Sequence, residues 1–414
     1  MINSEDNERI LKIQKRLDPL FFDLSFSGEI GIMDPGNREL YRTKRKFSTE
    51  EEAFEYLEKY AEDFRNKCLP FYEISKKCRK ENIYIFGPSV STGEFGVSDV
   101  RDRAYYTFIP KIKFSPIDNI DLYWKIVDYI VTEMKRTREE LIKVFDDTLA
   151  AIKVGGYRSV SGDWIEFTNP LKGSKFYQSL KPISGKDLPI FSNPKVYVEN
   201  IDTFQKAEVM GNDCAVLNMA SFQNAGGGVI NGSRAQEEEL CRRSNLVQSL
   251  YAYSSRDSEL LDYKEPSKDK RYPISMYGGI YSPHVMVFRS ALSYSMLDEP
   301  YECAVISVPG LKNPTLDKKT GELTEKDATT TKGKIRAILR IALLNGHYKL
   351  VLGALGCGAF HNPPKHIARL FKEVIGEDEF ENHFEEICFA ILEDGNSLKN
   401  QAGGNLKPFK EVFG

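Results

Sequence analysis

From about Pro194 onwards, short apolar runs alternate with amphipathic helical segments, and this alternation constrains the fold more than any other feature. Apolar runs without polar alternation are typical of strands that are covered on both faces. The predicted strands are Val196–Glu199, Cys214–Ala220, Val285–Phe288, Ala304–Val308, Lys349–Ala354 and Glu386–Leu392. They predict a covered α/β sheet rather than a β-sandwich, with ligands bound beyond the carboxyl ends of the strands.

Apolar residues at helical spacing predict the intervening helices, at Arg234–Tyr251, Ala328–Asn345 and Pro363–Ile375. Upstream, Ile120–Val154 is also helical in pattern. We expect a break near Lys135–Thr137, because Thr137–Glu140 has the form of a capping box. A short strand is predicted at Trp164–Phe167.

The N-terminal part of the chain has a mixed α/β pattern. A capping box at Ser48–Glu51 predicts the start of a helix that ends before Pro70. A short strand is predicted at Asn82–Phe86. The turn Gly87–Gly96 lacks the Gly-Lys-Ser/Thr of a P-loop, so we interpret it as a surface loop and assign it no chemistry.

Composition excludes several classes of protein. The net charge of −3 gives no global basic field for recruiting nucleic acid. No apolar run approaches the length of a membrane span, and the charged segment Met1–Lys12 lacks the apolar core of a signal peptide. The seven cysteines include no C-x-x-C pair, which argues against a zinc site or a disulfide framework. We therefore expect a cytoplasmic protein with reduced thiols.

A glycine-rich loop follows the predicted strand Cys214–Ala220. The stretch Asn224–Gly228 is separated by seven residues from Gln236–Glu239. Glycines let backbone N–H groups approach a phosphate or ribose, and a carboxylate one turn into the next helix would reach a sugar held there. Together they have the parts needed to cleave a nucleoside-diphosphate sugar. The alternative is that the glutamates only complement the helix dipole on a solvated face.

The predicted helix after this loop begins at Ser233 as N-cap, with Gln236 at the third helical position. Glu237 and Glu238 would then lie late in the first turn or just after it. Because successive helical residues diverge by about 100°, we expect only one of the two to point at a ligand in the loop.

Two asparagines bracket the end of the same strand. The amides of Asn218 and Asn224 are suited to ribose hydroxyls, as donors and acceptors. The alternatives are that Asn218 satisfies local backbone groups and that Asn224 forms a turn.

A second glycine loop, Gly353–Phe360, follows the predicted strand Lys349–Ala354. Asn362 is a candidate N-cap and Pro363 a candidate first helical residue, so that a helix N-terminus would face the loop and suit a diphosphate. A generic strand–turn–helix has the same pattern. Phe360 is either a core residue or an aromatic lid over a ribose. Cys357 and His361 lack a third orienting group, which disfavours a thiol nucleophile.

The segment Asn218–Gly228, followed after seven residues by Gln236–Glu238, resembles the GGG–x(6–8)–QEE signature of poly(ADP-ribose) glycohydrolases, in the microbial branch built on a macrodomain. The resemblance continues in Glu239–Leu246 and Lys349–Pro364, and covers about residues 136–414. Two departures are Ala225, where the family usually has Pro, and Leu355, where it usually has Trp.

The resemblance implies a macrodomain-like three-layer α/β/α core at residues 194–414 and an accessory helical segment at 136–193. It does not extend to residues 1–135, which we predict from their own pattern to be an N-terminal α/β region of unknown function. It implies that Glu238 is catalytic and that Glu237 assists. The implied ADP-ribose-binding residues are Asn218, Asn224, Gly226, Gly227, Gly228, Gln236, Gly356, Cys357, Gly358, Ala359 and Phe360, with the first glycines around the ribose and Gly356–Gly358 around the diphosphate.

The implied reaction is hydrolysis of an O-glycosidic bond at the anomeric carbon of ADP-ribose, without metal or cofactor. Glu238 would protonate the leaving hydroxyl and then deprotonate water, a role that needs a raised pKa although a helix N-terminus lowers it. We expect a monomer acting on poly(ADP-ribose), ADP-ribose or ADP-ribosylated proteins, with nucleic-acid acceptors left open. A non-catalytic macrodomain that reads ADP-ribose is the alternative.

Overall fold

The structure is a computed structural model that describes residues 4–24, 30–33, 39–42, 46–80, 83–86, 95–99, 104–108, 136–159, 161–263, 270–291, 294–392 and 404–414. The chain divides into two compact units, Met1–Lys135 and Arg136–Gly414. None of the described helices is long and apolar enough to cross a membrane.

In the first unit, helices Ser4–Leu17 and Glu50–Lys80 pack together through buried residues such as Leu17 and Leu57. Arg9 links them through an ion pair of 2.6 Å with Glu58. Two three-stranded antiparallel sheets accompany them, formed by Phe21–Leu24, Ile30–Met33 and Glu39–Arg42 and by Ile83–Phe86, Phe95–Asp99 and Ala104–Phe108.

Two sequence predictions in this unit are wrong. The Thr49 hydroxyl accepts a hydrogen bond of 3.3 Å from the Glu52 N–H, so the cap lies one residue later than the predicted box at Ser48–Glu51. The helix also continues through Pro70 to Lys80, because the one hydrogen bond that an interior proline removes, at a cost of about 3 kcal/mol, does not end so long a helix. Residues 87–94 and 120–135 of the predicted turn and helix lie outside the described residues.

The second unit is built on a seven-stranded sheet. In spatial order its strands are Lys195–Glu199, Glu386–Ala390, Lys349–Leu352, Cys214–Ala220, Met296–Pro309, Gly279–Arg289 and Lys175–Tyr177. The first five are parallel, and each of the last two is antiparallel to the strand before it. The carboxyl ends of five strands therefore meet at one edge, with Cys214–Ala220, hereafter the central strand, in the middle.

Helices cover both faces of this sheet. Along the central strand, Ala215 and Leu217 face one core, while Val216 faces the other. The described helices of the unit are Arg138–Val154, Thr203–Met210, Gln236–Arg243, Val247–Tyr251, Glu325–Leu344, Pro364–Ile375 and Leu406–Phe413. Because strand side chains alternate between faces, two separate cores form, and the predicted three-layer α/β/α arrangement is confirmed.

The helix that opens this unit begins as the sequence predicts. Thr137 is its N-cap, and the reciprocal capping box with Glu140 is formed. Gly155 is its C-cap. This helix buries Leu141, and its Phe145 and Ile152 pack in the core that also contains Val216.

The predicted helix Arg234–Tyr251 is wrong in one respect, because it is two helices, Gln236–Arg243 and Val247–Tyr251. Between them, Ser244 forms a β-bridge with Val287, and the Asn245 N–H donates to the Met286 carbonyl at 3.2 Å. Backbone groups at the break thus pair with a strand instead of continuing the helix. Most other predicted boundaries lie within about two residues of the observed ones, although Gly279–Arg289 and Met296–Pro309 extend well beyond the predicted apolar segments.

Candidate active site

Two loops meet at the carboxyl edge of the sheet. We call residues 221–235, after the central strand, the first loop, and residues 353–363, after Lys349–Leu352, the second loop. Their strands pair directly in parallel, with Val216 opposite Val351, so the loops leave the sheet side by side. A third segment, which follows the strand Met296–Pro309, lies against the second loop. A Cβ on its Gly310 would lie 3.0 Å from the Cα of Gly356.

The first loop folds back over the start of the helix Gln236–Arg243, hereafter the acidic helix. Gly227 has φ +61°, a conformation that side chains disfavour. A Cβ there would lie 2.4 Å from Glu238 Oε1 and 2.9 Å from Glu237 Oε2. Glycine is therefore required both by the backbone and by the two carboxylates packed against it.

Glu238 lies against this loop. Its side chain is buried, and Oε1 accepts a hydrogen bond of 2.8 Å from the Gly228 N–H. Its Oε2 is buried without a hydrogen-bond partner among the described residues. Such an oxygen is costly to bury unless a ligand or water uses it, so its position points to a binding function.

Glu237 is buried next to Glu238. Its Oε2 accepts a hydrogen bond of 2.6 Å from the Ser221 N–H, and its Oε1 accepts one of 3.4 Å from Asn218 Nδ2. Burial, together with the negative charge of Glu238, raises the pKa of Glu237 to about 8, against the lowering effect of these hydrogen bonds. The raised pKa that an acid needs at neutral pH thus falls on Glu237.

Both carboxylates contact the first loop. We expected the divergence of about 100° between successive helical residues to turn one of them aside, and it does not. Side chains in the first turn tilt toward the helix N-terminus, which is where the loop wraps over the helix. The predicted cap is also wrong, because Ala235 is the N-cap and Gln236 is the first helical residue. Ser233 instead donates its backbone N–H to the Gly228 carbonyl at 3.2 Å.

Gln236 fastens the acidic helix to the sheet. Its Oε1 accepts a hydrogen bond of 2.8 Å from the Met219 N–H, and its Nε2 donates one of 2.7 Å to the Leu217 carbonyl. The amide thus satisfies two backbone groups at the end of the central strand. This fixes the height of Glu237 and Glu238 above the sheet edge.

The third glutamate of the run has different contacts. Glu239 accepts hydrogen bonds from Arg242 at 2.5 Å and from the Tyr294 hydroxyl at 2.7 Å. The fully buried Arg242 also donates to the Ser233 carbonyl at 2.7 Å, so it braces the end of the first loop. Sequence reasoning missed both Arg242 and Tyr294. The spacing of Glu239 and Arg242, three residues apart on a helix, was the available signal for one of them.

Asn218 and Asn224 have different surroundings. Asn218 is fully buried, and its Nδ2 donates to Ser307 Oγ at 3.0 Å, while its Oδ1 has no hydrogen-bond partner among the described residues. The Asn224 carbonyl accepts from the Gly227 N–H at 3.0 Å, and its Oδ1 accepts from Arg256 at 2.8 Å. Asn224 therefore forms the turn into the glycines, whereas Asn218 presents a buried acceptor beside Glu237.

The second loop is held by Asn362. Gly356 has φ +72°, and a Cβ there would lie 2.5 Å from Asn362 Nδ2. That nitrogen donates to the carbonyls of Leu311 at 2.6 Å and Gly356 at 3.0 Å. The prediction of Asn362 as N-cap is wrong, because its amide is used inside the loop. Pro363 is the N-cap, and the helix begins at Pro364.

The tip of the second loop is accessible. Gly358 and Ala359 are exposed, and a Cβ on Gly358 would have no neighbour within 4 Å. Phe360 is half-buried, and its carbonyl accepts from the Asn313 N–H at 3.0 Å. The Cys357 side chain is buried in the core, and burial raises the pKa of its thiol, so only its backbone is available to line the loop. His361 is exposed.

The described residues contain no group of three or more His, Cys, Asp or Glu side chains that could hold a metal ion. The site thus consists of two buried carboxyls, two backbone loops and the N-terminus of the helix Pro364–Ile375, which favours negative charge. Such a set can bind a phosphorylated sugar and exchange protons with it.

Comparison with known proteins places this geometry in context. Residues 146–290 match the family model of the microbial-type PARG catalytic domain. The fold is similar to the crystal structure of poly(ADP-ribose) glycohydrolase (PARG) from Thermomonospora curvata, with 26% identity and a TM-score of 0.53 over 66% of this chain and all of that one. The same enzyme bound to the inhibitor ADP-HPD gives 26% identity and a TM-score of 0.52, again over 66% of this chain and 100% of that chain.

A PARG from Deinococcus radiodurans in complex with ADP-ribose shares 28% identity over 59% of this chain and 94% of that chain, with a TM-score of 0.44. Among curated proteins, none matches the sequence.

Proposed function

We propose that this chain is a glycohydrolase of the microbial-type PARG family that acts on ADP-ribose polymers, and that Glu238 is its general acid and base. The observation that carries the assignment is the position of the Glu238 carboxylate. One oxygen is held by the Gly228 N–H, and the other is buried and unpaired among the described residues, at the glycines proposed to hold the ribose.

The proposed reaction breaks the bond between the anomeric ribose carbon and the leaving oxygen. Glu238 gives a proton to that oxygen as the bond lengthens, and positive charge develops on the sugar ring. The same carboxylate then takes a proton from the water that attacks the anomeric carbon. The products are ADP-ribose and a free hydroxyl on the remaining chain.

The neighbouring carboxyl limits the negative charge at the site. The raised pKa of Glu237 keeps that carboxyl protonated at neutral pH. Glu237 therefore adds little negative charge beside Glu238, which exchanges its own proton with the leaving oxygen and then with water. Glu237 also holds the loop through the Ser221 N–H, so that it assists by position as well as by charge.

The diphosphate is proposed to lie on the second loop. Exposed backbone at Gly358 and Ala359 and the N-terminus of the helix Pro364–Ile375 favour an anion there without a metal. The half-buried ring of Phe360 borders this position. The inhibitor-bound relative from Thermomonospora curvata supports a ligand of the ADP-ribose class in this fold.

We propose that modified proteins are among the acceptors and that the enzyme acts as a monomer. We also propose that it acts in the cytoplasm, which the free thiols of the described cysteines support. Residues 136–193 remain proposed as an accessory segment of the catalytic core, and residues 1–135 as a region of unassigned function.

The test compares full-length wild type with Glu238→Gln on purified poly(ADP-ribose). We expect ADP-ribose release by wild type and a loss of about 10²–10⁴-fold in kcat for the variant, with ADP-ribose binding retained. Glu381→Gln, at an exposed position, is the matched control. Wild type that binds ADP-ribose but releases none from chains would instead be a reader of the modification.

A further inference from the structure

A basic side chain is fixed to the outer side of the first loop. Arg256 Nη1 donates a hydrogen bond of 2.8 Å to Asn224 Oδ1, and the Asn224 carbonyl in turn accepts from the Gly227 N–H. The guanidinium is therefore attached to the turn that leads into the glycines. The turn therefore fixes the position of the Arg256 guanidinium relative to the glycines that are proposed to hold the ribose.

Arg256 is held in place by a buried acid. Its Nε donates to Asp257 Oδ1 at 2.7 Å, and Asp257 Oδ2 accepts from Ser254 Oγ at 2.7 Å. Asp257 is only 2% exposed, whereas the Arg256 side chain is 48% exposed. A guanidinium fixed on one side and open on the other offers its planar donors to an anion such as phosphate.

Further cations lie close to Arg256, and we call Arg256, Lys270 and Arg271 together the rim. Arg271 Nη1 donates to Ser255 Oγ at 3.3 Å, beside Arg256, and Lys270 is exposed next to it. The backbone of this segment is fixed by a hydrogen bond of 2.8 Å from the Tyr272 N–H to the Tyr253 carbonyl. Asp257 is the acid bonded to Arg256, and exposed Glu259 and Asp262 follow it in the chain. Arg256 and Arg271 therefore place two guanidinium groups next to the first loop, with Asp257 engaged by one of them.

An exposed aromatic ring lies in the same turn as Asn224, the partner of Arg256. Phe222 lies two residues before Asn224 in the turn and is 40% exposed. Its carbonyl accepts a hydrogen bond of 3.0 Å from the Ile274 N–H, which ties the turn to the segment that carries Arg271. Exposed aromatic rings beside basic side chains are the usual platform for a stacked base with neighbouring phosphates.

The strand order shows on which side of the central strand the rim lies. The second loop follows Lys349–Leu352 on one side of the central strand, whereas the segment containing Arg271 leads into Gly279–Arg289, two strands away on the other side. A ligand with its diphosphate on the second loop and its ribose in the first loop therefore continues past the broken bond toward the rim. In a polymer, the next unit there carries two phosphates and an adenine.

Building on the function proposed above, we propose that Phe222, Arg256 and Arg271 bind the ADP-ribose unit on the leaving-group side of the broken bond. These residues thereby favour chains over substrates whose leaving group carries no phosphate. The arginines bind its phosphates, and the Phe222 ring stacks on its adenine.

The experiment uses full-length protein and two substrates, poly(ADP-ribose) chains and an aryl glycoside of ADP-ribose whose leaving group is a phenol. We expect Arg256→Gln, Arg271→Gln and Phe222→Ala each to raise KM for chains about tenfold, with kcat little changed. KM for the aryl glycoside stays the same. Because Arg271 contacts Ser255 rather than the first loop, Arg271→Gln separates phosphate binding from support of that loop.

Salt gives a second readout. Raising NaCl from about 50 to 200 mM should raise KM for chains more steeply in wild type than in Arg256→Gln, because phosphate contacts are screened. Equal KM changes on both substrates would assign Arg256 to loop support and overturn the proposal. An unchanged KM for chains in the three variants would also overturn it. So would a KM that changes in these variants only when the substrate is ADP-ribosylated nucleic acid. Wild type inactive on both substrates would refute the glycohydrolase function itself.

Discussion

The backbone N–H of Ser221 donates a hydrogen bond of 2.6 Å to the carboxylate of Glu237, so a side chain of the acidic helix holds the first residue of the first loop. Glu237 therefore has two roles. It keeps the loop folded over the helix, and its raised pKa keeps a proton at the site.

Glu237 should make stability depend on pH. Its pKa rises from 4.5 to about 8 on folding, so the folded protein binds more protons in this window. The associated stability is complete below about 4.5 and is lost as pH rises through about 8, by a few kcal/mol at most. We expect the stability of Glu237→Gln relative to wild type to increase across this window in urea unfolding. Glu381→Gln should show no such trend, and a flat Glu237→Gln difference would refute the buried proton.

Gly227 should tolerate no side chain. Gly227→Ala forces a left-handed conformation on alanine and places a Cβ 2.4 Å from Glu238 Oε1, which should cost about 1–3 kcal/mol and displace the carboxylate. Thermal unfolding and kcat measure the two effects. Gly358→Ala is the matched control for stability, because a Cβ there meets nothing within 4 Å. Equal stability changes at the two positions would contradict the observed packing.

Neighbouring glutamates of the run should differ in function. Glu239→Gln should keep kcat within about tenfold of wild type, whereas Glu238→Gln should lose about 10²–10⁴-fold, because Glu239 is engaged by Arg242 and Tyr294 rather than by the loop. Glu239→Gln should instead lower the free energy of unfolding, since it weakens a pair with the fully buried Arg242. Steady-state kinetics with urea unfolding separates these effects. The reverse order of activities would move the acid to position 239.

The parts of the site that are local in sequence were predictable. Apolar strands, glycine loops and the carboxylates that follow them are each read within about twenty residues, and the structure brings them to one edge of the sheet. Contacts across the chain were not. Asn218 meets Ser307 on the paired neighbouring strand, and Glu239 on the acidic helix meets Tyr294, which follows the strand Gly279–Arg289. No local pattern marks such partners.

The wrong helix starts have a shared cause. Ser233 and Asn362 both precede a helix and have the side chains of good caps. In the structure, the Ser233 backbone bonds Gly228, and the Asn362 amide bonds Leu311 and Gly356. Capping rules consider only the groups at one helix end. Here both residues form hydrogen bonds within the loops instead, and the helices begin after them.

Asn362 should control the shape of the second loop. Its Nδ2 donates to two carbonyls, Leu311 and Gly356, and removing it leaves both of these partly buried groups without this donor, at a cost of about 1–3 kcal/mol. We expect Asn362→Ala to weaken ADP-ribose binding about tenfold in calorimetry, because the loop loses its shape before the ligand arrives. Asn193→Ala is the matched control, since it removes the same amide from an exposed side chain outside the second loop. Unchanged affinity in Asn362→Ala would show that the second loop does not hold the diphosphate.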